Sequence, residues 1–376
     1  MIEIIISLLL AFGITFYSIP AIITVAEQKH LFDVPDERKV HKRPIPSLGG
    51  LGIFAGFIMA MLVTIPFKGS MMSFQYIVAA CLIVFFVGIK DDILIITPLK
   101  KFLGQFLAAG VLVFKGGFLL TNMHGLFGIY ELTPPISYGL TIFAMVGITN
   151  AFNLIDGVDG LAASLGVLIC MALGVFFIVN RDVEYACLAF SMMGALLAFL
   201  IFNFSPAKIF MGDTGSLIVG LVSAIMVIRF VQMAPTAPVI SMQSSPAVGV
   251  AVLFIPLFDT IRVFGSRMLK GRSPFTPDRN HIHHILLDKG LSHRMVTMSL
   301  VFANFIMIIL GGLGSFVNIN FLFFGLLLLG FSTVGLLAMA QGKTKLRAVK
   351  AYSDAPKDAK KVKFMSFRAK PAANDQ

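Results

Sequence analysis

Long, uninterrupted apolar runs separated by short polar islands dominate the chain. Eleven runs predict membrane-spanning helices, at about 2–23, 49–66, 73–90, 102–121, 135–153, 161–180, 186–203, 214–232, 246–266, 297–317 and 320–340. A helix needs roughly 20 consecutive apolar residues to cross the hydrocarbon core. Closed β-barrels also satisfy their backbone in lipid, but their strands alternate apolar and polar positions. These runs are continuously apolar, and glycines within them suit close helix packing. The predicted fold class is all-α: a polytopic transmembrane helical bundle of about 11 spans.

Composition agrees with that pattern. Of 376 residues, 57% are hydrophobic and 13% charged, against about 45–50% and about 25% in soluble proteins. This excludes a disordered chain, a disulfide-built secreted domain and an ordinary water-soluble enzyme. Cys81, Cys170 and Cys187 lie in or beside apolar runs, too few and too scattered for a disulfide framework or a zinc site. The first run lacks the basic n-region and small-residue cleavage site of a signal peptide, so it is expected to be a retained helix.

The net charge of +11 becomes informative once it is placed. Of the 30 basic residues, 25 fall in the loops after spans 1, 3, 7 and 9 and in the tail. The excess of Lys and Arg predicts that face to be cytoplasmic, with the N-terminus outside and the C-terminus inside. Residues 1–342 are read as one transmembrane domain, and the Lys/Ala/Ser/Pro-rich residues 343–376 as a basic, disordered cytoplasmic tail.

The 19 acidic residues are more telling. Several stand in polar islands at span ends, all on the predicted cytoplasmic face. Asp91 and Asp92 close the third span. Two adjacent carboxylates there oppose the helix dipole and repel each other, which suits a metal or proton-transfer site as well as a solvated helix end. Lys100 and Lys101 follow and could meet phosphate. The second island runs Asn150-Ala-Phe-Asn-Leu-Ile-Asp-Gly-Val-Asp-Gly160, with Asp156 and Asp159 spaced i, i+3 and two amides, Asn150 and Asn153, that cost energy unless satisfied. It reads either as a polar turn or, given its density of Asn, Asp and Gly, as a ligand site.

The third island spans Phe202 to Ser216 and includes Asn203 and Phe-Met-Gly-Asp-Thr-Gly-Ser. Asp213 at a helix start is an ordinary capping residue, yet a helix N-terminus is also an anion site, and a carboxylate there can hold Mg²⁺ against phosphate. The fourth island, 267–294, holds Arg279, His281, His283, His284 and His293. The close histidine trio lacks a Cys or nearby Glu to complete a transition-metal site, so phosphate or sugar binding fits better. Asp259 and Arg262, late in the ninth span, could pair inside the bundle. A basic, Pro-punctuated stretch, Val34 to Gly50, suits a topology signal or anionic-lipid contact. Carboxylates, amides, Lys, Arg and His on one membrane surface are the kit for a Mg²⁺-dependent reaction on phosphate groups.

From about Asp33 to Ser292, the islands resemble, in order and spacing, the bacterial polyprenyl-phosphate N-acetylhexosamine-1-phosphate transferases of the WecA/TagO type. Their superfamily includes the phospho-MurNAc-pentapeptide translocases and the eukaryotic dolichyl-phosphate enzyme. The His-Ile-His-His stretch is similar to the WecA/TagO branch, which makes a pentapeptide-bearing donor the lesser alternative.

The resemblance implies transfer of an N-acetylhexosamine-1-phosphate, with N-acetylglucosamine as the default sugar, from a UDP-sugar to undecaprenyl phosphate. UMP is released, and a cell-surface glycan such as O-antigen, teichoic acid or capsule begins. It implies Mg²⁺, with Mn²⁺ able to substitute, bound by Asp213 with help from Asn153. It implies catalytic roles for Asp91, Asp92, Asp156 and Asp159. Lys101, Asn150, Asn203, Arg279, His281, His283 and His284 would bind substrate. The implied setting is the bacterial inner membrane, in contact with lipid and without nucleic acid, and related enzymes are often dimers. A Mg²⁺ or phosphate transporter would place ionisable groups near the bilayer midplane, often in inverted repeats; the acidic islands here lie at one face and no repeat is visible. A non-catalytic scaffold would not need these carboxylates. A reporter fused after Gln376 is expected to read cytoplasmic, and a periplasmic signal would overturn the eleven-span orientation.

Overall fold

The computed structural model describes residues 1–33, 45–65, 72–94, 96–271, 273 and 280–353, the side chains of residues 33, 72, 73 and 337–353 excepted. Arg279 and the basic stretch 34–44 lie outside the described residues. The predicted apolar runs are helices: α1 (Ile2–Gln28), α2 (Gly49–Thr64), α3 (Met72–Leu94), α4 (Pro98–Phe114), α5 (Pro134–Ile155), α6 (Leu161–Val179), α7 (Val183–Asn203), α8 (Gly212–Met233), α9 (Ser245–Val252) with α10 (Phe254–Leu269), α12 (His293–Leu313) and α13 (Ile319–Ser353). A short helix, α11 (Ile282–Asp288), precedes α12. The protein is an all-α, multi-pass membrane bundle.

Among the described residues, seven helices are long and apolar enough to cross a bilayer, or eight when α9 and α10 count as one broken span. The eleven expected runs are therefore all helical but unequal in length, α2 and α4 having only 16 and 17 residues. The run expected to reach 121 ends at Phe114, where Lys115-Gly-Gly follows; glycine lowers helix propensity. An antiparallel hairpin not anticipated from the sequence follows, β3 (Asn122–Leu126) with β4 (Ile129–Glu131). A second small pair joins β1 (Phe32–Asp33) to β2 (Ile45–Pro46). Residues 1–327 form one compact unit. In the second unit, residues 328–376, the described part is helix, which runs past the expected boundary at 342 to Ser353.

The core is organised around α8. A helix apolar on every side belongs inside, and 83% of the α8 apolar window is buried, against 28% for α1 and 22% for α13. Helices α2, α3, α5, α6 and α9 pack around it. Glycines set how closely they approach. A Cβ on Gly50 of α2 would collide with the Gly215 backbone, and one on Gly88 of α3 would stand 2.5 Å from Thr214 Cα. Two neighbouring helices are thereby brought against the first turn of α8.

The run 246–266 is not one helix, as the hydropathy suggested, but two meeting at 86° around Leu253. Pro256 sits in the first turn of α10, where its missing N–H costs least. Broken backbone inside a membrane protein must find internal partners. Fully buried Asn304 of α12 supplies them: its Oδ1 accepts from Ile255 N–H at 2.9 Å and its Nδ2 donates to Val252 C=O at 3.0 Å. Asn304→Leu, which strands both buried groups, is expected to cost about 1–3 kcal/mol per group. A detergent-solubilised protein with an unchanged thermal midpoint would remove that role.

Candidate active site

The polar ends of α3, α4, α5 and α8 meet in one cluster. Asn153, in the last turn of α5, donates from Nδ2 to Asp213 Oδ1 at 2.7 Å and to Ser216 Oγ at 3.0 Å. Its Oδ1 accepts from Lys101 Nζ at 3.0 Å. The same ammonium contacts Asp213 Oδ2 and lies 3.3 Å from Asp91 Oδ2. One cation is thus held by oxygens from three helices: a carboxylate of α3, an amide of α5 and a carboxylate of α8. Lys101, expected to await phosphate, is committed to these oxygens. Asp91 also accepts from Ile96 N–H at 2.8 Å, which closes the turn into α4.

Asp92 faces the other way. Its Oδ1 accepts from Asp213 N–H at 2.7 Å, while Oδ2 accepts from Thr214 N–H at 3.0 Å and the Thr214 hydroxyl at 2.6 Å. A carboxylate is favoured at a helix N-terminus, where free N–H groups and the dipole point at it. Asp92 therefore caps α8 from another helix and fixes the backbone that carries Asp213. Gly212 allows this approach: its φ is +68°, and a Cβ would stand 2.8 Å from the Asp92 oxygens.

Asn150 is satisfied by its neighbours. Its Nδ2 donates to Gln105 Oε1 and to Val146 C=O, and Gln105 Nε2 donates back at 3.3 Å. The sequence reading missed Gln105; its position four residues after Lys101, on the same helix face, was the available signal. Asn203 is also occupied: its Oδ1 accepts from Gly160 N–H at 2.9 Å and its Nδ2 donates to Ile209 C=O at 2.8 Å. It ties the turn after α5 to the loop before α8.

Asp159 braces the same region. Its Oδ2 accepts from Ala207 N–H at 3.2 Å, its Oδ1 lies 3.2 Å from His293 Nδ1, and its C=O accepts from Thr297 of α12. Asp156, by contrast, is a half-buried carboxylate for which no hydrogen bond is found among the described residues. Burial, then the nearby carboxylates of Asp213, Asp92 and Asp159, push its pKa up to about 8.

The histidines close the opposite side. Asp259 Oδ1 accepts from Arg262 at 2.8 Å, so the pair expected from the sequence forms, and Asp259 Oδ2 lies 2.8 Å from His281 Nδ1. The rings of His281, His283 and His284 follow one another, with centroids 5.5 and 4.3 Å apart. His283 packs on Gly157, where a Cβ would stand 2.6 Å from its Nε2. Burial lowers the His283 pKa to about 3, with His284 adding to the shift, so the ring is neutral. Asp91, Lys101, Asn153 and Asp213 thus form a cation cluster and His281, His283 and His284 a histidine stack, with the Asp156–Gly160 turn beside both, while Asp92, Asn150 and Asn203 bond into the scaffold.

A membrane bundle with carboxylates, amides and a cation at one polar end has the equipment of a phosphate-handling enzyme. The family model for glycosyl transferase family 4 matches residues 74–231. The chain is 32% identical to a probable undecaprenyl-phosphate N-acetylglucosaminyl 1-phosphate transferase of Bacillus subtilis (strain 168), over 81% of this chain and 83% of that one. It is 34% identical to the decaprenyl-phosphate N-acetylglucosaminephosphotransferase of Mycobacterium leprae, covering 76% and 77%. It is 30% identical to the undecaprenyl-phosphate alpha-N-acetylglucosaminyl 1-phosphate transferase of Yersinia pestis, covering 77% and 78%. The chain belongs to the polyprenyl-phosphate N-acetylhexosamine-1-phosphate transferases of glycosyl transferase family 4.

The raised pKa of Asp156 has a sign that can be measured. Between its ordinary value of 3.8 and about 8, the folded state holds a proton that the unfolded chain has lost. Stability contributed by the neutral form is present below the unfolded pKa and falls as pH rises through this window. Asp156→Asn is expected to flatten the decline in thermal midpoint between pH 5 and pH 8. Identical pH slopes for the two proteins would contradict the assignment.

Proposed function

We propose that this protein transfers N-acetylglucosamine-1-phosphate from UDP-N-acetylglucosamine to undecaprenyl phosphate, releasing UMP and starting a cell-surface glycan. The relatives' names support the acceptor and the sugar. The observation that carries the chemistry is the convergence of Asp91, Asn153 and Asp213 oxygens on the Lys101 ammonium. A site that gathers three oxygens around one cation suits a phosphate-bridging metal, and we assign it to Mg²⁺. The donors are hard oxygens, without Cys or His, as Mg²⁺ prefers. No group of three or more His, Cys, Asp or Glu side chains forms a complete metal site among the described residues.

Asp213 and the Asn153 carbonyl oxygen would hold the metal, with Asp91 alongside. Bound there, Mg²⁺ would neutralise pyrophosphate charge and stabilise the charge that develops as phosphorus is attacked. Lys101, freed from the carboxylates, would neutralise a phosphate. An oxygen of the lipid phosphate attacks the β-phosphorus of the UDP-sugar, the bond to the bridging oxygen breaks, and UMP leaves with that oxygen. A phosphate monoester has its second pKa near about 6 and is largely ionised at neutral pH. A strong base is therefore unnecessary, and Asp91 serves mainly to orient the attacking phosphate. Asp156, without a hydrogen bond among the described residues, adjoins Gly157, on which His283 packs, and would serve the donor side. The site works at the cytoplasmic face of the bacterial inner membrane, where a lipid and a soluble nucleotide can meet.

Purified protein in detergent, supplied with UDP-N-acetylglucosamine, undecaprenyl phosphate and Mg²⁺, is expected to release UMP, and chelation should stop it. Failure with every UDP-sugar tested would sink the enzymatic reading. Asp213→Asn is expected to lower turnover by at least about 100-fold while the protein still folds. Wild-type turnover in that variant would remove Asp213 from the metal site.

A further inference from the structure

We propose that Asp259 is a positioning residue for this reaction: its carboxylate fixes the tautomer and direction of His281, leaving Nε2 as the ring's working nitrogen toward the donor's phosphates. This rests on the transferase reading above. Asp259 is 1% exposed and both its oxygens are used. Oδ1 accepts from Arg262 at 2.8 Å and from Ile282 N–H, at the start of α11, at 3.0 Å. Oδ2 lies 2.8 Å from His281 Nδ1.

The chemistry follows from what each group can do. A carboxylate beside a guanidinium only accepts hydrogen bonds, so His281 Nδ1 must carry the proton shared with Oδ2. Nε2 is then an acceptor in the neutral ring and a donor in the imidazolium. An imidazolium held this way can donate from Nε2 to a phosphate oxygen without reorganising as charge builds. Arg262, which also reaches Asn280 C=O, locks the same stretch of chain onto α10. The histidine therefore stands on a charged platform of α10, and its ring stacks within 13° of parallel on His283, which lies against Gly157.

Asp259→Asn separates positioning from simple anchoring. The amide oxygen can still accept from Arg262 and Ile282, but its NH₂ then confronts a donating Nδ1, so the favoured tautomer reverses. The variant is expected to keep the wild-type thermal midpoint within a few degrees. Its kcat should fall about 10–100-fold, the usual cost of losing a supporting partner, with KM for the UDP-sugar nearly unchanged. Combined with His281→Ala, it should slow the enzyme by no more than about twofold beyond His281→Ala alone, because the two residues act as one unit. Multiplicative losses in the double variant, or an unchanged kcat in Asp259→Asn, would overturn the proposal.

A second measurement does not depend on turnover or on the variant folding. In ¹⁵N-histidine-labelled protein, with His281→Ala used for assignment, the His281 ring should carry its proton on Nδ1. A neutral ring protonated on Nε2 would overturn the proposal even if the variant kinetics agreed. Absence of UMP release from the wild type would instead defeat the transferase reading, and leave the tautomer measurement to decide the Asp259–His281 pairing.

Discussion

The grip of one carboxylate on the start of a buried helix underlies the arrangement of this protein. Asp92, at the end of α3, receives the first backbone donors of α8 and the Thr214 hydroxyl. Buried N–H groups at a helix start are costly unless paired. Here the pairing comes from a different helix, so satisfying α8 also locks α3 to it. Asp213 is then held in place by its own backbone. Asn153 and Lys101 can reach it only because that backbone is fixed. The glycines at 50, 88 and 212 serve the same end, since each removes a side chain that would hold the helices apart.

Around that grip, the motif residues divide by what their atoms are engaged in. Asp92, Asn150, Asn203 and Asp159 spend their hydrogen bonds on the scaffold. Asp91, Asn153 and Asp213 converge on a cation, and Asp156 has no hydrogen bond among the described residues. A motif read as a list of catalytic groups thus divides into residues that converge on a cation and residues bonded into the scaffold around them. Preorganisation requires this, because a group that moves freely loses its electrostatic advantage to reorganisation.

Much of this was legible in the sequence. Unbroken apolar runs identify helices because lipid tolerates little else, and the three acidic islands sit at the run ends that meet in space. The pairing of Asp259 with Arg262 followed from their spacing and the cost of leaving either alone in a span. Other features left no comparable local signal. The bend at Leu253 lies within a continuous apolar run, and its compensation comes from Asn304, about fifty residues later. The hairpin after α4 is docked by Asn320, whose Oδ1 accepts from Phe127 N–H, and such long-range pairing is not encoded at either site alone. The scaffold roles of Asp92 and Asn203 were hidden for the same reason: a carboxylate or amide in a polar island looks alike whether it meets a ligand or a distant backbone.

The enclosure of α8 separates two mechanical environments. Its neighbours α2, α3, α5, α6 and α9 pack against it, while α1 and α12 leave most of their apolar stretches unburied. A change in bilayer thickness or tail composition acts through the surface that touches lipid, by tilting or bending it. The outer helices take up that strain first. Strain of that kind meets the helix that carries Asp213 through its packed neighbours, so its first turn is buffered against the elastic state of the membrane.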